Sequence, residues 1–489
     1  MSDTIAAIST APGEGGIGIV RISGDLSEKI IKKVFAKGSS KRLYLEYNAS
    51  PKDIDRTAVQ NFITEDISIT EDNNNSNFEN KRMYHGYVYD CDGNIIDEVL
   101  AVFMRGPRSY TGEDVAEIHC HGGIIALRKV LTIVLSEGAI LAEAGEFTKR
   151  AFLNGRIDLS QAEAVIDIIK AKTEIAYRAA IQQLDGSLNV EVKNIRSRML
   201  DLLVSIAVEL DYPEEDVRYL NQEDIIKCIS QIGDNIEKLR KSFDLGRIIS
   251  QGLKTVIIGK PNVGKSSLFN NLLAQPRAII TEIPGTTRDT IEEDLNIGGI
   301  LIRLIDTAGI RHTKDKIEML GVLKSNEAIC ASDLILLVID GSGVIEPEDR
   351  RIIELLPNRP VVVLINKVDL GIKLSSKDIK NIIPNAITIN TSMKTGTGID
   401  ELRETIESLV FRGKVVGKSL IITNVRHKQL LDKAAIEIDQ CASLAETSES
   451  VEIIEIYLRQ AYEYLGEIIG ESVSDDVVNE VFSRFCLGK

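Results

Sequence analysis

The spacing of apolar residues changes along this chain, and each change predicts a different kind of structure. Residues 1 to about 150 combine strand-like runs at Ile17 to Ile22 and Val99 to Met104 with helical spacing, which predicts an α+β domain. From Ser160 to about residue 248 the helical period dominates, and we expect Ser160 and Glu163 to form the S-x-x-E capping box that begins it. Helical spacing returns near the end of the chain, where one helix face carries Ile454, Leu458, Ala461, Leu465 and Ile468.

Between the two helical stretches, strands alternate with helices. The apolar run Lys254 to Ile258 begins this pattern, which ends near residue 412 and is typical of a doubly wound α/β domain. Because helical spacing flanks it on both sides, we predict an α/β domain inserted into one helical domain. The expected domains are an α+β domain at 1–154, the first part of the helical domain at 155–250, the inserted α/β domain at 251–412 and the second helical part at 413–489.

Composition narrows the class of protein. The 489 residues are 44% hydrophobic and 27% charged, which is typical of a folded globular protein. The longest apolar runs have strand length, well short of the roughly 20 residues that cross a membrane, and no targeting leader is evident, so we expect a cytoplasmic protein. Six cysteines without a C-x-x-C pair predict neither a disulfide framework nor a zinc finger. A net charge of -15 means that any nucleic-acid contact needs local basic groups or a partner protein.

A phosphate-binding loop is predicted where the apolar strand Thr255 to Ile258 ends. The run Gly259-Lys260-Pro261-Asn262-Val263-Gly264-Lys265-Ser266 has the G-x-x-x-x-G-K-S spacing and precedes a helical stretch from Ser267. Backbone N–H groups in such a loop cradle phosphate oxygens, while Lys265 neutralises the β and γ charges and Ser266 ligates Mg²⁺. The domain is therefore expected to be a Ras-like P-loop domain.

Two further motifs predict that the nucleotide is GTP. Asp306-Thr307-Ala308-Gly309 follows the strand Leu301 to Ile305, where an acidic residue can hold Mg²⁺ through water and a glycine amide can sense the γ-phosphate. Asn366-Lys367-Val368-Asp369 follows the strand Pro360 to Ile365, and its aspartate can accept hydrogen bonds from N1 and the exocyclic amine of guanine, which adenine does not offer. Ser392-Met393-Lys394 occupies the place of the usual S-A-K guanine loop.

The residues that would complete hydrolysis are less clear from the motifs. In Gly285-Thr286-Thr287-Arg288-Asp289 we expect Thr287 to ligate Mg²⁺, with Thr286 as the alternative. Ile310 follows Gly309, where Ras-type enzymes have the glutamine that orients water, so another group must orient it. Charge compensation at the β–γ bridge requires an arginine finger or a bound monovalent cation.

Together, G-x-P-N-x-G-K-S, G-T-T-R-D and D-T-A-G-I-R resemble the MnmE/TrmE family of potassium-activated GTPases. Era and Der share these motifs, but the flanking runs resemble MnmE alone. These runs are Asp3 to Ala7, Ile22 to Gly24, Tyr110 to Asp114, His119 to Gly123, Gly145 to Gly155 and Phe485 to Lys489. The resemblance covers almost the whole chain, and the polar stretch around Asn73 looks like an insertion relative to the family.

The resemblance implies a homodimer whose G domains pair when GTP and K⁺ are bound. In such a site Asn262 binds K⁺ together with the switch residues Thr281, Ile283 and Thr286, and Glu318, twelve positions after Asp306, positions the attacking water. Lys265 and Glu318 are then catalytic, while His312 stands where the family is usually acidic. The implied GTP-binding residues are Asn262, Val263, Gly264, Lys265, Ser266, Ser267, Thr281, Glu282, Ile283, Pro284, Gly285, Thr286, Thr287, Asp306, Thr307, Ala308, Gly309, Asn366, Lys367, Asp369, Ser392, Met393 and Lys394.

The resemblance also implies a folate-binding-like N-terminal domain that holds a 5-formyl- or 5,10-methylene-tetrahydrofolate. The matching positions are Arg21, Glu117, Arg156 and Lys489; a carboxylate suits the donor edge of a pterin, and basic groups suit the glutamate tail. Cys486 is a candidate nucleophile, with a buried structural thiol as the alternative. A dinucleotide loop at Gly13 to Gly18 is rejected because no helix clearly follows, and a metal site at His119 and His121 lacks a third ligand.

The implied function is GTP-driven tRNA modification. With an FAD-dependent partner, MnmG (GidA), in a heterotetramer, the family modifies C5 of the wobble uridine of certain tRNAs with an aminomethyl or carboxymethylaminomethyl type of group. One alternative is a ribosome-assembly GTPase, which predicts a KH-like module or a second G domain, and neither pattern appears. The other alternative is a regulatory GTPase switch, which folate binding by residues 1 to 150 would exclude.

Overall fold

The computed structural model describes residues 3–11, 13–37, 78–90, 93–211, 221–273, 293–305, 328–356, 359–411, 420–447 and 451–489. Their contacts divide the chain into two compact units. The first comprises residues 1–166 together with 469–489, and the second comprises residues 167–468. The polar stretch around Asn73 and the loop at His312 lie outside the described residues.

A mixed sheet forms the centre of the first unit. Its described strands follow the order β3-β4-β5-β6-β2-β1-β7, and neighbours are antiparallel except for β1 and β7. The strands are β1 (Ile5–Ile8), β2 (Gly18–Ser23), β3 (Phe35–Lys37), β4 (Met83–Tyr89), β5 (Ile95–Met104), β6 (Val115–Cys120) and β7 (Ile140–Leu141). The glycine run before Gly18 therefore leads into a strand, which agrees with the rejection of a dinucleotide loop.

Two helices cover one face of this sheet, and the other face carries a small apolar core beside charged side chains. The helices α1 (Ser27–Val34) and α2 (Ile124–Ser136) bury Ile30, Ile31, Leu127, Val130 and Val134 against Val20, Ile22, Ala116 and Ile118. The helical spacing of these apolar residues explains why both segments are helices. On the opposite face a small core of Ile5, Ala7, Ala142 and Phe147 lies beside Arg21 and Glu117.

The end of the chain belongs to the first unit. Helix α14 (Asp475–Ser483) packs with α3 (Glu146–Leu153) and with the start of α4 (Leu159–Lys170). The shared core comprises Leu159, Ala162, Val478, Val481, Phe482 and Phe485, and Lys149 Nζ donates to Asn479 Oδ1 at 2.7 Å. The final residues 484–489 thus follow a helix that is anchored on the N-terminal domain.

The predicted capping box at Ser160 and Glu163 is wrong. The Asp158 carboxylate accepts the Gln161 N–H at 2.9 Å, and the Gln161 side chain accepts the Asp158 N–H at 3.0 Å. Helix α4 therefore begins two residues earlier than predicted, with Asp158 as the capping residue. Ser160 lies inside the first turn, where its hydroxyl donates to the same carboxylate at 2.6 Å.

Long helices build the scaffold of the second unit. They are α5 (Glu174–Leu184), α6 (Ser187–Asp211), α7 (Gln222–Gln251), α12 (Val425–Glu446) and α13 (Val451–Ile469). Helices α7 and α12 pack together although the α/β domain separates them in sequence. The predicted face of α13 is confirmed, since Ile454, Leu458, Ala461, Leu465 and Ile468 are all at most 2% exposed. This packing is what an inserted domain requires.

The α/β domain contains a sheet in the order β13-β12-β11-β8-β10-β9, in which β9 alone of the described strands is antiparallel. Its strands are β8 (Leu253–Ile258), β9 (Glu293–Ile297), β10 (Ile300–Ile305), β11 (Leu334–Asp340), β12 (Val361–Asn366) and β13 (Ile387–Asn390). Helices α8 (Lys265–Leu273) and α11 (Ile399–Phe411) cover one face, and α9 (Pro347–Glu354) and α10 (Ser376–Ile382) cover the other. Both faces are buried, so the parallel strands are continuous apolar runs.

Ion pairs join this sheet to the helical scaffold. Arg247 of α7 forms two hydrogen bonds with Asp333, at 2.8 and 3.2 Å, just before β11. Lys172, which precedes α5, lies 2.6 Å from Asp294 of β9, whose other oxygen accepts from Arg303 of β10 at 3.3 Å. The hairpin of β9 and β10 is therefore fixed to the scaffold at the end of the sheet where β8 begins.

The predicted fold class is confirmed: an α+β domain precedes a helical domain that an α/β domain of the P-loop type interrupts. The domain boundaries given above stay predictions at the level of single residues. Strand β5 is four residues longer than the apolar run that predicted it, because its first four residues, Ile95 to Glu98, are exposed or half-buried and include two carboxylates. No helix in the described ranges is long and apolar enough to cross a membrane.

Candidate functional site

The phosphate-binding loop lies between β8 and α8, as the sequence predicts. Lys265, the first residue of α8, donates from Nζ to the main-chain oxygens of Gly259 at 2.7 Å and Lys260 at 2.6 Å. Burial lowers the pKa of Lys265. The ammonium group is thus folded back over its own loop, beside the N-terminus of a helix, where phosphate oxygens can replace the carbonyls.

The loop has little room for larger side chains. Gly264 has a φ of +110°, and a β-carbon there would lie 2.2 Å from Asn366 Nδ2. Asn262 is exposed and adopts a left-handed φ of +62°, a conformation that asparagine tolerates better than most residues. Ser266 and Ser267 are exposed in the first turn of α8.

Asn366 joins the phosphate-binding loop to the two base-reading segments. Its side chain is 2% exposed, and its Nδ2 donates to the Val263 oxygen at 2.7 Å. Its Oδ1 accepts the Met393 N–H at 3.1 Å and lies 3.5 Å from the Thr391 hydroxyl. Because both the donor and the acceptor of this buried amide are hydrogen-bonded, Asn366 fixes the three segments relative to one another.

Two ion or hydrogen-bonded pairs orient the rest of the N-K-x-D motif. Lys367 Nζ lies 2.7 Å from Asp340 Oδ2. Burial favours a raised pKa for Asp340, but the hydrogen bonds from Lys367 and Ser342 outweigh burial and lower the pKa. Ser392 Oγ donates to Asp369 Oδ1 at 2.7 Å, which leaves the second carboxylate oxygen to accept from a base. Lys394, next in the loop, is exposed.

Asn271 belongs to this site but has no signature in the sequence. It lies in the second turn of α8, and its Nδ2 donates to the Met393 oxygen at 2.8 Å. The two residues are 122 positions apart, so only the folded chain brings them together. Met393 is 9% exposed and packs in the core of the domain.

The switch residues cannot be placed in this arrangement. Thr281 to Thr287, Asp306 to Gly309 and Glu318 lie outside the described residues. The assignments made for them, including the choice between Thr286 and Thr287, stay predictions.

A second polar site lies on the open face of the N-terminal sheet. Arg21 of β2 and Glu117 of β6 are register partners, and Arg21 Nε donates to Glu117 Oε1 at 2.8 Å. His119 Nε2 lies 3.1 Å from the other oxygen, Glu117 Oε2. Burial favours a raised pKa for Glu117, but the hydrogen bond with His119 and the charge of Arg21 outweigh burial and lower the pKa. Glu117 is therefore an ionised, mostly buried carboxylate.

Aromatic rings complete this site. The Arg21 guanidinium lies 5.1 Å from the centre of the Tyr110 ring and 5.7 Å from that of Phe147. The Arg156 guanidinium lies 5.0 Å from the centre of the same Tyr110 ring, and its Nη1 donates to the main-chain oxygen of Tyr110 at 2.8 Å. Within the described residues, Arg21 Nη1 is buried without a hydrogen-bond partner. A buried donor of this kind suits an oxygen of a ligand.

The C-terminal tail lies against β1, the strand next to Arg21. Leu487 forms a bridge with Ala144, and Gly488 has a φ of +87°. A β-carbon on Gly488 would lie 2.2 Å from the Ile8 oxygen, so glycine is required there. Lys489 is half-buried. Cys486 is exposed, which is contrary to the alternative of a buried structural thiol.

The histidines of this sheet pair with carboxylates. His121 Nδ1 lies 2.7 Å from Asp97, and His119 pairs with Glu117. In the part of the chain that the structure describes, no group of three or more His, Cys, Asp or Glu side chains could hold a metal ion.

Comparisons with known proteins cover the whole chain. A family model described as "GTP-binding protein TrmE N-terminus" matches residues 4–156, and one described as "MnmE helical domain" matches residues 159–486. Similar proteins include the "tRNA modification GTPase MnmE" of Clostridioides difficile, 45% identical over 490 residues and 100% of both chains. The proteins of the same name from Thermoanaerobacter pseudethanolicus and Acetivibrio thermocellus are 45% and 43% identical, over 100% of this chain and 99% of each relative.

Proposed function

Because this chain belongs to the MnmE/TrmE family, we propose that it hydrolyses GTP and that this activity serves tRNA modification. The observation that carries the proposal is that the phosphate-binding and base-reading loops both contact Asn366. Its Nδ2 donates to the Val263 oxygen of the first loop, and its Oδ1 accepts the Met393 N–H of the second. Asn366 lies 103 positions from Val263 and 27 positions from Met393 in sequence. The hydrogen bonds of Asn366 thus join the two loops into one candidate nucleotide site.

We assign roles in GTP binding and hydrolysis to three described residues, Lys265, Ser266 and Asp369, and to three residues outside the described ranges, Thr287, Asp306 and Glu318. Lys265 would exchange its hydrogen bonds with the carbonyls of its own loop for contacts with the β- and γ-phosphates, and the exposed Ser266 hydroxyl would ligate Mg²⁺. Asp369 accepts from N1–H and the amine of guanine, so GTP is preferred over ATP. In this proposal Thr287 would complete the Mg²⁺ ligands, Asp306 would hold the ion through water, and Glu318 would position the attacking water. Mg²⁺ neutralises charge on the transferred phosphoryl group when it is bound.

A potassium ion serves as the charge-compensating group in this proposal. Asn262 is exposed at the turn of the phosphate-binding loop, and its amide oxygen is a ligand that suits a monovalent cation. The backbone of Thr281, Ile283 and Thr286 completes the site. Lys260 does not repel the cation strongly, because Glu346 and Asp349 lie 2.5 and 2.9 Å from its Nζ.

The N-terminal site is proposed to bind a tetrahydrofolate. Glu117 would accept hydrogen bonds from the pterin edge, the free Nη1 of Arg21 would donate to a ligand oxygen, and the positive charges of Arg156 and Lys489 would suit the glutamate tail. The folate, in its 5-formyl or 5,10-methylene form, supplies the one-carbon unit when it is bound.

The modification itself is proposed to need partners. A homodimer of this chain, with the FAD-dependent MnmG as a heterotetramer, acts in the cytoplasm on C5 of the wobble uridine of certain tRNAs. Cys486 is a candidate nucleophile because its thiol is exposed on the docked tail. The net charge of -15 favours a tRNA surface that the partner provides in large part.

The first test is steady-state GTP hydrolysis by the full chain in KCl and in NaCl at equal ionic strength, with ATP as control. We expect K⁺ to raise the rate roughly tenfold or more, because the cation replaces an arginine finger, and ATP not to be hydrolysed. Asn262→Ala should remove the potassium effect, whereas Asn270→Ala, an exposed asparagine in α8, should retain it. Equal rates in both salts would refute the potassium site and leave the GTPase assignment standing.

The second test concerns folate. Isothermal titration with 5-formyl-tetrahydrofolate should show binding by the wild-type chain and none by Arg21→Ala. Binding to neither protein would favour a regulatory GTPase switch over a modifying enzyme.

A further inference from the structure

Asn271 contacts the base-reading loop from the helix that follows the phosphate-binding loop. Its half-buried side chain donates from Nδ2 to the Met393 oxygen at 2.8 Å and lies 3.8 Å from Met393 Sδ. We propose that Asn271 is a positioning residue for guanine recognition. The N–H groups of Ser392 and Met393 donate to Thr397 and Asn366, so we assign the N–H of Lys394 as the donor toward the oxygen at position six of the base, and Asn271 holds the loop in the position that this contact needs.

Met393 is held from both sides. Asn366 Oδ1 accepts its N–H at 3.1 Å, and Asn271 donates to its carbonyl oxygen. Both asparagines have short side chains with few rotamers, so the two hydrogen bonds fix the loop more tightly than longer side chains could. Without Asn271, the loop is held at Met393 through one side-chain bond, to Asn366.

The two edges of guanine are read by different groups. Asp369 recognises the N1–H and the 2-amino group, and Ser392 Oγ holds this carboxylate at 2.7 Å. The oxygen at position six is an acceptor and needs donors, which the main chain of the loop supplies. Asn271 acts on the loop through Met393, so its loss changes recognition of the oxygen more than recognition of the 2-amino group.

The inference rests on the proposed nucleotide site alone and is independent of potassium, folate and tRNA. It is tested with the full chain by isothermal titration of GDP, IDP and 6-thio-GDP. IDP lacks the 2-amino group, and 6-thio-GDP replaces the oxygen at position six with sulfur, a weaker acceptor. The proteins compared are wild type, Asn271→Ala and Asn270→Ala, whose side chain is exposed on the same helix.

We expect Asn271→Ala to weaken GDP binding about tenfold and 6-thio-GDP binding less than about twofold, since one hydrogen bond is lost. IDP keeps the oxygen at position six, so Asn271→Ala should weaken IDP binding about as much as GDP binding. The ratio of the two dissociation constants should therefore stay near its wild-type value. Asn270→Ala should resemble wild type with all three nucleotides. If Asn271→Ala fails to fold, Asn271→Asp has nearly the same shape and replaces the donor with an oxygen.

Equal weakening of all three nucleotides by the Asn271 variants would overturn the inference, because it indicates a general structural role. Unchanged binding of all three would overturn it as well. If the wild-type chain binds none of them, the nucleotide site itself is wrong, and that outcome is distinct from the other two.

Discussion

Three lysines of the nucleotide site show how surroundings decide what one residue type does. Lys260 is paired with Glu346 and Asp349; burial alone would lower its pKa, but the two carboxylates raise it. Lys367 is paired with Asp340. Lys265 bonds carbonyl oxygens, and burial lowers its pKa. Lys265 therefore has the most to gain from a new anionic partner, which suits its role toward phosphate.

At Asp369 we predict that a single substitution changes base specificity. Asp369→Asn replaces one acceptor oxygen with an NH₂ donor that faces a donor of guanine, and it removes the charge from the remaining hydrogen bond, so GDP binding should weaken by about 100-fold or more. Xanthine has an oxygen in place of the 2-amino group, so XDP should bind the variant better than GDP does. Fluorescence titration with both nucleotides measures this, and Asp378→Asn, which alters an exposed helix cap, is the control. Retained preference for GDP would contradict the assignment.

At Glu117 we predict a stability effect that depends on pH. The folded-state pKa of Glu117 lies below its usual 4.5, so its stabilising contribution is present above pH 4.5 and is lost as pH falls through the lowered pKa. Glu117→Gln should therefore lower the Tm by several degrees at pH 7, and the difference should shrink below pH 4.5. Calorimetry across this range measures both proteins.

The control for Glu117 is the exposed pair of Glu79 and Arg82, whose side chains are 64% and 60% exposed. Glu79→Gln should change the Tm little at any pH, because exposed pairs contribute little to stability. A Glu117→Gln deficit that persists unchanged at low pH would show that packing, and not charge, is responsible.

At the scale of elements, apolar periodicity predicted the class of each domain and several of its strands and helices, and the misses have physical causes. The capping residue of α4 is Asp158 rather than Ser160. Both residue types can cap a helix, but here the Asp158 carboxylate accepts the N–H of Gln161, the third residue of the helix. Asn366 and Asp369 lie at and just after the end of β12, as the strand pattern predicted, and their roles toward guanine stay predictions. Asn271 was missed because its partner lies across the fold, where spacing in sequence carries no signal.

The docked C-terminal tail leads to a prediction at the same scale. Gly488→Ala should displace the tail, since its β-carbon would lie 2.2 Å from the Ile8 oxygen, a backbone atom that cannot move aside. Carboxypeptidase should then remove Lys489 faster, and folate binding should weaken. Gly371→Ala is the matched control, because Gly371 also has a positive φ, +100°, but no atom lies within 4 Å of the added carbon. Equal digestion of the two variants would show that the tail is not held at Gly488.

At the scale of the second unit, the inserted domain is tied to its scaffold near the strands that lead into and out of the switch segments. Strand β9 begins after residues 274–292, and β10 ends before residues 306–327. The turn between β9 and β10 packs against helix α5 of the scaffold, because a β-carbon on Gly299 would lie 2.9 Å from the Ile175 side chain. A change in the switch segments can therefore reach the helices through this hairpin without passing through the rest of the sheet.

The strength of that tie is measurable as a coupling energy between Lys172 and Asp294. The pair is partly buried, with the Lys172 and Asp294 side chains 35% and 18% exposed, so a double-mutant cycle of Lys172→Met and Asp294→Asn should give about 0.5–1 kcal/mol. Asp294→Asn alone should cost more than Lys172→Met, because Asp294 also accepts from Arg303. Urea unfolding of the full chain provides the free energies. The exposed pair Arg484 and Glu480 should give a smaller coupling, and equal values would mean that the hairpin is not held by this contact.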